Sequence, residues 1–361
     1  MSRSEAAGDQ PPPAGRQAPS EAAGDQPPPA GDRRPPPAGR SASPETLVER
    51  AAQGDRGALA RLLSLVERGG FQAREVGRLA YPRGGRAHTI GITGPPGAGK
   101  STLADGLIAR ARAEGREVGV LAVDPSSPFS GGALLGDRVR MQGHALDDGV
   151  FIRSMATRGH LGGLALAVPE AIRVLDASGL DPVLVETVGV GQVEVEVAGA
   201  ADTTLVVVTP GSGDSVQANK AGLLEIADVF VLNKADRPDT RDARRDLRLM
   251  LGLSELGEWE PPIVETVAST GQGVDEAWAA IGRHREFLEA EGRLAARRAA
   301  RLEHEVVGIV TRRLERRAHR ILSGPELDPV RDDLAARRLD PYQAAERILD
   351  RLAASSSLSV K

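Results

Sequence analysis

The sequence predicts an α/β fold of the doubly wound class, with a mostly parallel sheet. The predicted strands are short runs of apolar and β-branched residues without polar alternation, as in strands that helices cover on both faces. Helical segments separate these runs along the chain. A glycine-rich turn, Gly94-Pro-Pro-Gly-Ala-Gly-Lys-Ser101, lies between the first run and the helix after it. In folds of this class the ligand site lies at the carboxyl ends of the strands.

Two short helices should precede the sheet, because Ser43-Pro44 and Asp55 have the pattern of helix N-caps. Asp328-Pro329 and Asp340-Pro341 show the same pattern near the end of the chain. Each of them should begin a short helix. The other predicted helices are 101–114, 164–178 and the region from about Val274 onward. The predicted strands are a run around Ile90 and Ile92, then 118–123, 150–153, 182–186, 203–209, 229–233 and 262–265.

Composition divides the chain into four predicted regions. Residues 1–42 contain a proline-rich repeat and almost no apolar side chains, so we expect a disordered tail. Residues 43–86 should form a helical segment, 87–290 the sheet domain and 291–361 a helical arm. The arm carries an apolar stripe at helical spacing, which favours a subunit interface over a lid. The stripe consists of Leu302, Val306, Ile309, Leu314, Ala318 and Ile321.

The 361 residues carry a net charge of −4 and contain no cysteine. The charge gives no basic field for nucleic acid or a membrane surface, and neither disulfides nor thiolate metal ligands can form. We expect no membrane span, no secretory signal and a cytoplasmic location. Arginine outnumbers lysine 42 to 4. A chain that favours arginine keeps lysine where the smaller ammonium group is needed and a guanidinium would not fit. Lys220 is therefore a candidate functional residue. The alternative is that Lys220 is an ordinary exposed lysine.

The glycine-rich turn has the spacing of a phosphate-binding loop. Glycines let backbone N–H groups approach a triphosphate, and the helix after the turn adds the positive end of its dipole. Lys100 should contact the outer phosphates, and the hydroxyl of Ser101 is placed to bind Mg²⁺. The residues expected to hold the phosphates are Gly97, Ala98, Gly99, Lys100, Ser101 and Thr102.

A second motif, Asn233-Lys-Ala-Asp236, follows an apolar strand, where a loop that recognises the base belongs. The carboxylate of Asp236 can accept hydrogen bonds from N1–H and the exocyclic amine of guanine, and adenine lacks that donor pair. Lys234 can lie across the base, and Asn233 can tie this loop to the phosphate loop. The pattern therefore predicts GTP over ATP.

Three carboxylates are candidates for the surroundings of the metal. Glu186 begins Glu186-Thr-Val-Gly189, at the place where phosphate-loop GTPases usually carry Asp-x-x-Gly. Asp124 ends the preceding predicted strand. Asp137 lies in the loop that follows Asp124 and would reach the metal only if that loop closes.

Together these motifs resemble the MeaB/ArgK family, the GTPases that accompany adenosylcobalamin-dependent methylmalonyl-CoA mutase. The resemblance covers about residues 44–350. Glu186 in place of the usual Asp is itself a mark of the wider class that includes nickel-insertion GTPases. The matching motifs are Gly94 to Thr102, Asp124-Pro-Ser-Ser127, Gly136-Asp-Arg-Val-Arg-Met141, Glu186-Thr-Val-Gly-Val-Gly-Gln192, Pro210-Gly-Ser-Gly-Asp214 with Gln217 and Lys220, and Asn233 to Asp236.

The resemblance implies a homodimeric GTPase that acts as a chaperone of an adenosylcobalamin-dependent acyl-CoA mutase and gates loading, protection or reactivation. It implies catalytic roles for Lys100, Asp137 and Glu186. It implies a magnesium site of Ser101, Asp124, Asp137 and Glu186, and a segment from Gln217 to Lys220 that signals to the mutase. Which mutase is served stays open.

Two positions depart from the family pattern. Val267-Ala268 stands where relatives often have Ser-Ala, so Ala268 should contact the base through its backbone alone. Ras-like enzymes carry a water-positioning glutamine directly after this glycine, but here the next glutamine after Gly189 is Gln192. We therefore expect slow hydrolysis by the chain alone. A partner or loop closure should accelerate it by ordering Asp137 and an arginine such as Arg138.

Three other interpretations remain. A nickel-insertion GTPase would need metal ligands, but the six histidines show no ligand spacing. A kinase of a basic amino-acid transport system would transfer phosphate to a protein. A regulatory switch would bind GTP without meaningful turnover. The chain lacks the signature of cobalamin binding, because Arg158 stands where Asp is needed before His160 and Gly163.

Overall fold

A computed structural model of the chain describes eight segments. They comprise residues 42–124, 141–144, 146–156, 161–187, 199–211, 225–253, 257–324 and 327–357. The predicted disordered tail lies outside these residues, except for Ala42.

In the part of the chain that the structure describes, three α-helices precede the sheet: α1 (Pro44–Ala52), α2 (Arg56–Arg68) and α3 (Gly70–Ala80). Both predicted caps are confirmed. The Ser43 hydroxyl accepts a hydrogen bond from the Thr46 N–H, and the Asp55 carboxylate accepts one from the Ala58 N–H at 2.9 Å. The third helix was not predicted individually within the helical segment 43–86.

The described strands form one seven-stranded sheet in which every pairing is parallel. The strand order is β3-β2-β4-β1-β5-β6-β7, so the chain builds outward on one side of β1 and then on the other. The predicted doubly wound α/β class is confirmed. The strands are β1 (Thr89–Thr93), β2 (Val118–Asp124), β3 (Val150–Ala156), β4 (Val183–Thr187), β5 (Thr203–Val208), β6 (Val229–Asn233) and β7 (Ile263–Thr266).

Helices cover both faces of the sheet, and successive strand residues point to opposite faces. On one face, Ile92 and Leu184 pack in a buried cluster with Leu107. On the other face, Val183 and Val185 pack in a cluster that includes residues of α1, α2 and α3. The helices around the sheet are α4 (Lys100–Ala113), α5 (Leu161–Ala177), α6 (Thr240–Leu253) and α7 (Val274–Glu289).

The predicted helical arm, residues 291–361, contains three described α-helices. They are α8 (Arg293–Leu322), α9 (Asp328–Ala335) and α10 (Pro341–Ser357). Asp340 caps α10 as predicted, because its carboxylate accepts hydrogen bonds from the N–H groups of Tyr342 and Gln343. The predicted cap at Asp328 is wrong by one position. Leu327, which is buried in a small apolar cluster with Val330, holds the N-cap position and starts the helix one residue earlier.

Polar contacts attach the first half of α8 to the sheet domain, and none of the helix's 30 residues is buried. Arg298 and Arg301 both bond the carboxylate of Asp202, which is fully buried just before β5. Arg297 donates two hydrogen bonds, at 2.9 and 2.8 Å, to Asp228, just before β6. These contacts lie at the amino ends of the strands, opposite the phosphate-binding loop.

None of the described helices combines the length and the apolar character that crossing a membrane requires.

Candidate nucleotide-binding site

The phosphate-binding loop joins the carboxyl end of β1 to the start of α4, as the sequence predicts. Two of its glycines are required by space and by backbone conformation. Gly94 has φ 134°, and a Cβ there would lie 2.1 Å from the carbonyl oxygen of Val207 on β5. Gly99 has φ 93°, and a Cβ there would lie 2.3 Å from the amide nitrogen of Asn233. The loop is therefore packed between β5 and the carboxyl end of β6.

Lys100 is the first residue of α4 and is buried. Its ammonium group donates hydrogen bonds to the carbonyl oxygens of Gly94 at 2.6 Å and Pro95 at 3.0 Å. The side chain thus folds back into the concavity of the loop. This places a positive charge where the terminal phosphates of a nucleotide would lie, next to the positive end of the helix dipole.

Ser101 and Glu186 meet directly. The Ser101 hydroxyl donates a hydrogen bond to one carboxylate oxygen of Glu186, whose side chain is 1% exposed. The register between β1 and β4 pairs Ile92 with Glu186, which brings the carboxylate beside the end of β1. A hydroxyl and a carboxylate are hard oxygen donors of the kind that Mg²⁺ prefers when phosphate oxygens complete its shell. The residues present therefore fit the ion.

Asn233 connects three segments of the site. Its amide nitrogen donates a hydrogen bond to the Ala98 carbonyl at 2.8 Å, within the phosphate-binding loop. Its amide oxygen accepts hydrogen bonds from the Thr266 hydroxyl at 3.0 Å and from the Ala268 N–H at 3.1 Å. The predicted tie between the base loop and the phosphate loop is present. Thr266 was not singled out in the sequence, although it stands two residues before Ala268.

Lys234 reaches the same loop from the next position. Its ammonium group donates a hydrogen bond to the Gly97 carbonyl at 2.8 Å, and its backbone is left-handed, with φ 59°. Asp236 is exposed two residues further on. Its carboxylate is therefore accessible to a base that lies over Lys234.

The structure thus brings together Gly97, Ala98, Gly99, Lys100, Ser101 and Thr102 with Glu186, Asn233, Lys234 and Ala268. Strand β2 ends at Asp124, and its register with β4 places Val123 beside Thr187. The side chain of Asp124 lies outside the described part of the structure. The predicted Asp137, Gln217 and Lys220 lie outside the described residues.

Comparison with known proteins supports the same assignment. The family model described as Methylmalonyl Co-A mutase-associated GTPase MeaB matches residues 59–321. A protein of Pyrococcus abyssi is 53% identical over 310 residues, 84% of this chain and 95% of the relative. GTPase ArgK of Escherichia coli is 39% identical over 256 residues, 68% of this chain and 77% of the relative.

Among solved structures, the "LAO/AO transport system kinase" superposes with a TM-score of 0.64 at 26% identity, and the match covers 86% of this chain and 97% of that one. The family model spans well over half of the chain. The chain therefore belongs to the MeaB family of GTPases and hydrolyses GTP.

Proposed function

We propose that this GTPase serves an adenosylcobalamin-dependent acyl-CoA mutase, with methylmalonyl-CoA mutase as the first candidate, and gates cofactor loading, protection or reactivation. The family match over residues 59–321 carries this proposal, because the family is described by its association with that mutase. The hydrogen bonds that link the phosphate and base loops also support a role that depends on the bound nucleotide. The cofactor itself would belong to the mutase.

Each residue of the site has a role in this proposal. Lys100 neutralises the outer phosphates, and Asp236 selects guanine while the Ala268 backbone contacts the base. Ser101 and Glu186 hold Mg²⁺ together with Asp124. The ion would draw charge from the phosphate oxygens as the terminal phosphate leaves.

Two segments would connect hydrolysis to the partner. Asp137 completes the catalytic set only when its loop closes, so turnover by the chain alone is slow and a bound mutase accelerates it. The segment from Gln217 to Lys220 signals the state of the nucleotide to the mutase.

The arm supports a homodimer. It exposes residues of the apolar stripe, among them Val306 at 58% and Leu314 at 51%. A surface of this kind is typical of a subunit interface.

The experiment is to mix the purified chain and purified methylmalonyl-CoA mutase with a non-hydrolysable GTP analogue, with GDP or without nucleotide. We expect a complex on gel filtration whose yield depends on the nucleotide, and GTP hydrolysis that is faster with mutase than without it. Lys100→Ala should abolish the nucleotide dependence, and Lys361→Ala is the matched lysine control. Fast hydrolysis that does not change on adding any acyl-CoA mutase would overturn the proposal.

A second candidate is phosphoryl transfer to a protein acceptor. The solved structure with a TM-score of 0.64 carries the name of a transport system kinase, and this favours testing the activity here. Incubation with GTP labelled on its terminal phosphate separates the two. Label on an acceptor protein supports a kinase, and label released only as inorganic phosphate supports a GTPase without that activity.

A further inference from the structure

Two buried threonines meet at the ends of neighbouring strands, next to the candidate metal site. The Thr187 hydroxyl at the end of β4 donates a hydrogen bond to the Thr93 hydroxyl at the end of β1, at 3.2 Å. Thr93 is 1% exposed and Thr187 is fully buried. The roles proposed above for the phosphate, base and metal residues use neither side chain.

The two threonines lie on the opposite face of the sheet from Glu186. Side chains alternate along a strand, so Glu186 points to the α4 face with Leu184, whereas Thr187 points to the other face with Val185. The end of β4 is therefore held from both sides. Glu186 bonds Ser101 of α4 on one face, and Thr187 bonds β1 on the other.

Thr93 is also the residue that leads into the phosphate-binding loop. The next residue, Gly94, packs so tightly on β5 that a Cβ would lie 2.1 Å from the Val207 carbonyl oxygen. The start of the loop is thus fixed against β5 by close packing and against β4 by the threonine pair. A shift of the β4 end by a fraction of a hydrogen-bond length would move Glu186 relative to Ser101.

We infer that Thr187 and Thr93 are positioning residues for magnesium: their hydrogen bond fixes the end of β4 against the phosphate-binding loop, so that Glu186 stays opposite Ser101. This inference rests on the proposed magnesium role of Ser101 and Glu186. It assigns no contact with the nucleotide to either threonine. Loss of the bond should therefore weaken the magnesium dependence of nucleotide binding while leaving magnesium-free binding intact.

The test uses Thr93→Val, Thr187→Val and the double variant, because valine keeps the shape of threonine and removes the hydroxyl. The readouts are the Mg²⁺ concentration that half-maximally slows release of a fluorescent GDP, and the affinity for that GDP in EDTA. Each single variant should raise the half-maximal Mg²⁺ concentration about fivefold, the effect of one lost hydrogen bond. The affinity in EDTA should stay within about twofold. The double variant should be no worse than either single one, since only one bond is lost.

Two controls separate positioning from loss of stability. Thr89→Val lies at the other end of β1, where the hydroxyl accepts a hydrogen bond from the Asp202 N–H at 2.9 Å. This variant should lower the thermal midpoint and leave the magnesium dependence unchanged. Thr187→Ser keeps a hydroxyl, so its half-maximal Mg²⁺ concentration should equal that of the parent chain. This variant can be measured even if a valine variant does not fold.

The outcomes distinguish this inference from the proposed site. Ser101→Ala must change the magnesium dependence, and if it does not, the proposed metal role fails. If Ser101→Ala changes it and both folded valine variants match the parent, only the positioning role is overturned. Additive effects in the double variant, an equal loss of affinity in EDTA, or a Thr187→Ser variant as impaired as Thr187→Val would also overturn it.

Discussion

The Asn233 amide nitrogen lies 2.8 Å from the Ala98 carbonyl oxygen, so the carboxyl end of β6, where the base loop begins, is hydrogen-bonded to the phosphate-binding loop. The two residues are 135 positions apart in the sequence. Asn233 and Ala98 are both buried. A variant that leaves the Asn233 amide or the Ala98 carbonyl without a hydrogen-bond partner would therefore be destabilised by the full desolvation free energy of that group. Binding of the base and binding of the phosphates are therefore expected to depend on each other through this contact.

Asn233→Asp tests the contact with Ala98. Aspartate retains the oxygen that accepts from Thr266 and Ala268, but it places a second acceptor against the Ala98 carbonyl. We expect GDP and GTP affinity to fall at least about tenfold, as for loss of a hydrogen bond that leaves a buried group unpaired. Titration calorimetry measures it. Affinity equal to that of the parent chain would show that the contact does not organise the loop.

Asp236→Asn tests recognition of guanine. The amide offers one donor and one acceptor in place of two acceptors, so it no longer matches the two donors of guanine and instead matches xanthine. We expect GTP affinity to fall by about tenfold or more and xanthosine triphosphate to become the better competitor. Competition against a fluorescent nucleotide measures both. A variant that still prefers GTP would remove Asp236 from the base site.

The buried carboxylate of Asp202 should stabilise the attachment of α8. Burial raises the pKa of Asp202, but the hydrogen bond from Arg298 and the charges of Arg301 and Arg298 outweigh it, so the pKa lies well below its usual value. The carboxylate therefore stays ionised down to strongly acidic pH. Asp202→Asn leaves both guanidinium groups without their counter-charge, and we expect a loss on the order of 3 kcal/mol in the free energy of unfolding at neutral pH.

Urea denaturation followed by circular dichroism measures that loss. The matched control is Asp242→Asn on α6, where the carboxylate lies 3.5 Å from Arg245 and both side chains are largely exposed. Exposed pairs of this kind contribute little. An Asp202→Asn variant as stable as the control would show that α8 is held by other contacts.

His88 should make the stability of the fold depend on pH. Burial lowers the pKa of His88 to about 4, and its imidazole hydrogen-bonds the buried Thr203 hydroxyl at 2.8 Å. In the unfolded chain a histidine titrates near 6.5. Between these two values the unfolded chain binds a proton that the folded chain does not, so stability falls as the pH is lowered through this window, by up to about 1.4 kcal/mol per pH unit.

His88→Gln removes the group that binds this proton, so the free energy of unfolding should depend less on pH between pH 6.5 and 4. A residual dependence should come from His284, whose pKa burial also lowers. The readout is the urea midpoint measured at several pH values in this range. His304→Gln, at an exposed position on α8, is the control and should keep the slope of the parent chain. An unchanged slope in His88→Gln would mean that His88 is protonated in the folded state.

Features that depend on neighbouring residues were predictable from the sequence. Local features of this kind are the apolar strand runs, the helices between successive strands, the caps at Ser43 and Asp55 and the glycine-rich turn. Each was predictable because strand burial, cap hydrogen bonds and backbone conformation are set within a few residues. The motifs of the nucleotide site were found in the same way. The division of the chain at residues 42, 86 and 290 stays a prediction, as do the roles of Asp137, Gln217 and Lys220.

The sequence by itself determined the class of the fold, the family and the phosphate and base loops. Only the tertiary structure decided that Thr266 supports Asn233, that Thr93 bonds Thr187 and that Arg298 and Arg301 share Asp202. The first two pairs are separated by 33 and 94 positions, and the two arginines lie 96 and 99 positions from Asp202. The reason is physical: each contact depends on strand register and helix placement, which the packing of the whole sheet sets, whereas a motif needs only the backbone around it.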